Sequence, residues 1–95
     1  MSSFNLVQIV PSLDSGGVER GTIDVANFLA EKKIENFIIT SGGQMIKELD
    51  ESFTHVHLLP VSSKNIFSYP LIARKINQFI QSNNINLVHV RSRGP

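Results

Sequence analysis

The stretch "SLDSGGVERGTIDVANFLAEKK", residues 12–33, decides the fold. It begins with small and acidic residues and passes through the adjacent glycines Gly16 and Gly17. It then becomes a helix pattern, with Val18, Thr22, Val25, Ala26, Leu29 and Ala30 recurring at helical period. Lys32 and Lys33 suit the negative end of that helix's dipole. Just upstream, Asn5 to Val10 reads NLVQIV, a short, largely apolar run expected to be a buried strand. Strand, glycine turn and amphipathic helix in succession form the opening of a βαβ unit.

The pattern continues outward to the end of the chain. Asn36 to Ser41, NFIITS, is a second apolar strand closed by Gly42 and Gly43. Met45, Ile46, Leu49 and Phe53 predict a short helix. Thr54 to Leu59, THVHLL, is a third strand that Pro60 ends. A polar loop follows over 62–68. Pro70 then suits a helix start, with Ile72, Ile76, Phe79 and Ile80 as its apolar stripe and Asn83 and Asn84 at its end. Leu87 to Val90, LVHV, is a fourth strand. Strands alternating with helices predict an α/β fold with a parallel sheet. If the first three strands step in one direction, right-handed crossovers place their two helices on one face. The third helix then covers the other face if strand four returns beside strand one. The expectation is a Rossmann-like, doubly wound sheet of order 3-2-1-4 with three helices; the flavodoxin-like order 2-1-3-4 is the alternative. In the 3-2-1-4 order the switch point lies between strands one and four. The loop at 11–17 and the segment at 91–95 would share one crevice there.

Composition narrows the function classes. The 95 residues carry a net charge of +1, with no broad basic footprint for nucleic acid. There is no cysteine, hence no disulfide and no thiolate metal site. No signal-peptide pattern is seen at residues 1–10 and no apolar run approaches the ~20 residues of a membrane span. A cytoplasmic location, or one at the inner face of the membrane, is expected. Arg74 and Lys75 form only a small basic face, a weak sign of membrane-surface association.

The glycine pair has two readings from spacing alone. Backbone N–H groups at a helix N-terminus suit phosphate or another anion; equally, the glycines make a tight strand-to-helix turn. Known nucleotide motifs do not decide it. Gly16, Gly17 and Gly21 miss the G-x-G-x-x-G spacing, and no acidic residue ends the second strand. Gly16, Gly21 and Thr22 approach a phosphate-loop motif but lack its lysine.

The segments "PSLDSGGVERGTIDVANFLAEKK", "IITSGG" and "INLVHVRSRGP" together resemble the amino-terminal domain of bacterial, group 1 type, family 4 glycosyltransferases of the GT-B fold. Lys33 departs from the family's usual glycine at the helix end, and Asn86 stands where an aspartate is frequent. The resemblance covers nearly all of this chain and about the first quarter of a full enzyme. It implies that residues 1–95 are an incomplete acceptor-side domain lacking the donor domain, and that the chain alone is inactive. The implied reaction is retaining transfer from a nucleotide-sugar to a surface polysaccharide or lipopolysaccharide acceptor, glycan or lipid-linked. No cofactor and no essential metal are implied. Gly16 and Gly17 fall on the loop that closes over the donor diphosphate.

Around that loop, several residues are candidate acceptor or phosphate contacts. Asp14 and Ser15 serve either as contacts or as turn formers. Arg20 is unfavourable at a helix start, so it serves a contact, either to a ligand or to a neighbouring loop. His89 reads either as a core histidine or as a site residue. Arg91, Ser92 and Arg93 lie beyond strand four; alternation puts the two arginines on one side, suited to a phosphorylated or acidic group, unless they are a solvated chain end. His55 and His57 share a face but show no third metal ligand. No catalytic base stands out. The unpaired edge of strand four predicts self-association. A non-catalytic α/β module binding a phosphate-bearing ligand or a protein partner is the alternative function.

Overall fold

The computed structural model describes residues 5–13, 16–61 and 70–91. In chain order these form β1 (Leu6–Ile9), α1 (Gly17–Glu31), β2 (Asn36–Thr40), a 3₁₀ helix (Gln44–Glu48), β3 (Thr54–Leu58), α2 (Pro70–Ser82) and β4 (Leu87–Val90). The sheet runs β3-β2-β1-β4 and every pairing is parallel. The expected 3-2-1-4 order is therefore the one the chain adopts.

Side-chain alternation divides the core into two layers. Val7 and Ile9 of β1, with Phe37 and Ile39 of β2, point to the face covered by Ile72 and Ile76 of α2. Val10 and Ile38 point to the opposite face, against Ile23 and Ala26 of α1 and Met45 and Leu49 of the 3₁₀ segment. Sheet position then sets exposure. All residues of β1 and β2 are buried, whereas β4 is exposed along its whole length. Leu87, Val88 and Val90 of β4 show 47%, 42% and 47% of their surface to solvent, although their composition is that of a buried strand.

One element differs from expectation. The helix predicted over 45–53 is a single 3₁₀ segment ending at Glu48, so among the described residues the sheet is flanked by two α-helices rather than three. The cause is a side chain from α1. Asn27 Nδ2 donates to the Glu48 carbonyl at 3.0 Å, and Asn27 Oδ1 accepts from the Asp50 amide at 3.3 Å. Groups that would carry the helix onward are thereby taken. Asp50 instead caps a tight turn through the Ser52 amide, and its carbonyl accepts from the Thr54 amide as β3 begins.

Both α-helices end in the same way. The Lys33 amide reaches the Ala30 carbonyl and the Ile34 amide the Leu29 carbonyl, with Lys33 left-handed at φ 60°. At the end of α2, Ile85 reaches Ile80 in the same manner and Asn84 is left-handed at φ 54°. These are Schellman-type caps that satisfy the last carbonyls of each helix.

Candidate functional site

The carboxyl ends of β1 and β4 lie side by side, in register from Leu6↔Leu87 to Ile9↔Val90. The switch point thus falls between the carboxyl ends of β1 and β4, as the strand order requires.

A second glycine pair braces the loop after β1. The Leu13 amide donates to the Gly42 carbonyl at 2.7 Å, and the Met45 amide to the Leu13 carbonyl at 2.8 Å. The Ser41 amide and hydroxyl both donate to the Pro11 carbonyl. Gly43, at φ 146°, lies so close that a Cβ on it would fall 2.2 Å from the Leu13 carbonyl carbon. The "SGG" after β2 is therefore part of the wall that shapes the first loop.

At the helix mouth, Gly16 is the N-cap, with φ 125°, and offers no side-chain cap. The left-handed requirement falls on Gly16 alone; Gly17 is already the first helical residue. Gly17 is exposed, and a Cβ there would meet nothing within 4 Å among the described residues. The first amides of α1, which an intrahelical partner cannot satisfy, open on this bare surface. Asp14, Ser15, Ser92 and Arg93, like the polar loop at 62–68, lie outside the described residues.

Arg91 belongs to the crevice. Its amide donates to the Ile9 carbonyl at 2.8 Å, extending the ladder. Its Nε donates to Gln8 Oε1 at 2.8 Å, and Gln8 Nε2 donates to the Thr22 carbonyl of α1 at 3.2 Å. Gln8 is fully buried. The guanidinium lies over Gly21, with Nη1 3.5 Å from where a Cβ would stand. Gly17 and Gly21 are one turn apart on the same flank of α1, separated by about 6 Å of rise.

The other candidates separate. Arg20 pairs with Glu48 of the 3₁₀ segment and lies 4.0 Å from Asp24, on a different flank of α1 from Arg91. Its contact is thus to a neighbouring loop. His89 is in register with Gln8 and shares its sheet face, but is exposed rather than part of the core. Glu19, in the first turn of α1, is buried to 2% exposure and engaged by a partner. An interaction with the helix dipole alone needs no such burial. Gln8 is thus the buried polar position near the crevice that pattern reading did not single out, whereas Glu19, expected only to face the helix dipole, is also buried.

His55 and His57 share a face, as expected, but stack on aromatic rings. His55 lies 5.3 Å from Phe37 and His57 lies 4.8 Å from Phe79, centroid to centroid. They line an open groove with Glu35 and Asn83 towards the amino ends of the strands, away from the crevice. Among the described residues no group of three or more potential metal ligands is found, and no helix is long and apolar enough to cross a membrane.

No family model and no curated protein matches the chain. Among solved structures, a glycosyltransferase from Rickettsia africae matches all of this chain at 40% identity with a TM-score of 0.80. The chain spans 25% of that structure's length. Its α/β unit is thus glycosyltransferase-like in both fold and sequence.

Proposed function

We propose that the chain is the acceptor-side, amino-terminal part of a retaining, GT-B-type glycosyltransferase acting in bacterial surface polysaccharide or lipopolysaccharide assembly. One observation carries this reading. The Arg91 guanidinium lies over Gly21, one turn along α1 from Gly17, at the switch point of a chain 40% identical in sequence to part of a glycosyltransferase. The donor would be a nucleotide-sugar and the acceptor a glycan or lipid-linked sugar, with no essential metal.

The chemistry assigns roles to the residues. As the bond from sugar to diphosphate breaks, negative charge grows on the leaving phosphate. Fixed N–H donors at Gly16 and Gly17 stabilise that charge without reorganising. Arg91 adds a cation on the β4 side of the same opening. Asp14, Ser15, His89, Ser92 and Arg93 are proposed contacts to acceptor or phosphate, whereas Arg20 holds the 3₁₀ segment through Glu48. Transition-state stabilisation needs donor and acceptor held against each other. The 95-residue chain by itself is therefore expected to transfer no sugar; turnover with any nucleotide-sugar would contradict this division of labour.

The direct test is a pyrophosphate titration followed by backbone amide shifts. A helix end contributes about 0.3–1 kcal/mol per exposed charge, so binding of about millimolar strength or weaker is expected. Shifts centred on Gly16 to Glu19, with smaller ones at Arg91, support the reading. Shifts confined to Arg74 and Lys75 on the exposed face of α2 would reduce the glycine pair to a turn.

A further inference from the structure

We infer that Gln8 is the positioning residue of this site: its buried amide fixes Arg91 against α1 and so sets the site's affinity for an anionic phosphate group. The inference rests on the reading of Arg91 as an anion contact.

Gln8 occupies a costly position. It is fully buried on the central strand, on a face it shares with Val10 and Ile38. Burying an amide without partners is unfavourable, and an apolar side chain of similar length would fill the space without that demand. Both ends of the amide are used, and in only one orientation. The Thr22 carbonyl only accepts and the Arg91 guanidinium only donates, so Nε2 faces α1 and Oε1 faces Arg91. The bridge spans three elements: β1, α1 and the residue just beyond β4.

The effect on Arg91 is specific. A long arginine side chain at the end of an exposed strand would ordinarily sample many rotamers. Here Nε is tied to a buried acceptor and the guanidinium rests over Gly21, which has no side chain to displace it. Nη1 and Nη2 have no hydrogen-bond partner among the described residues. Two parallel donors on a fixed fork match the oxygens of a phosphate. Because the fork is fixed before the ligand arrives, little rotamer freedom is lost on binding.

The test compares Gln8→Met, Arg91→Ala and the double variant by the same pyrophosphate titration. If Gln8 acts through Arg91, Gln8→Met lowers affinity about tenfold, Arg91→Ala lowers it by a similar factor, and the double variant is no worse than Arg91→Ala. Wild-type affinity in Gln8→Met alongside weakened Arg91→Ala would overturn the positioning role and leave the anion site intact. Wild-type affinity in Arg91→Ala would overturn the anion reading and the inference with it. Should Gln8→Met not fold, the unmutated chain still decides. The Arg91 Nε–H should exchange with solvent about tenfold more slowly than that of exposed Arg74; equal rates would overturn the anchoring.

Discussion

Two backbone positions test the physical account one residue at a time. Lys33 holds a left-handed conformation at the end of α1, where glycine is favoured. Left-handed backbone costs an ordinary residue roughly 1–2 kcal/mol, and glycine loses about 0.5–1 kcal/mol of that advantage to chain entropy. Lys33→Gly is therefore expected to stabilise the chain by about 0.5–1 kcal/mol, read as a raised urea midpoint with unchanged slope. Gly43 is the opposite case. A methyl group there would overlap the backbone of Leu13 and require positive φ, so Gly43→Ala should cost more than about 2 kcal/mol and loosen the first loop. Gly17→Ala serves as the control. With open space around it among the described residues and an ordinary helical position, it should fold as the parent does.

At the level of elements, Asn27 sets where the 3₁₀ segment stops. Asn27→Ala removes both of its hydrogen bonds and is expected to cost about 1–2 kcal/mol. The Asp50 amide should lose protection from hydrogen exchange before the amides of β2 do; coincident loss would mean that Asn27 merely supports global stability. The same contact explains what the sequence could not reveal. The strands were legible because runs such as Phe37–Ile38–Ile39 suit only a doubly buried strand. The stripe of α2 was legible because Ile72 and Ile76 are one turn apart. The length of the segment after Gly43 was not, because Asn27 reaches it from 21 residues away and leaves no local pattern. Gln8 escaped for a related reason. A glutamine in an apolar strand has no visible partner until strand order brings Arg91 beside it, 83 residues downstream. The two glycine pairs read as independent turns, yet Gly43 is fitted against Leu13 and belongs to the first loop's wall.

For the molecule as a whole, the exposed β4 is the prominent liability. It is short, apolar but for His89, and carries none of the acidic residues, lysines or prolines that usually protect an edge. Self-association through this strand is expected, with apparent mass rising from micromolar to millimolar concentration in sedimentation equilibrium. Val88→Lys should shift the population towards monomer, because a charge on a bare edge opposes pairing. Concentration-independent monomer in the parent chain would show the edge to be covered in solution. The parallel pairing of β1 with β4 also has a consequence during synthesis. Asn5 and Asn86, whose hydrogen bond closes that pairing, are separated by 81 positions. At about 5–20 residues per second, one side of β1 waits roughly 4–16 s for its neighbour to leave the ribosome. During that interval the Gln8 amide has no arginine to bind and β1 keeps a bare flank, open to unwanted pairing until β4 arrives.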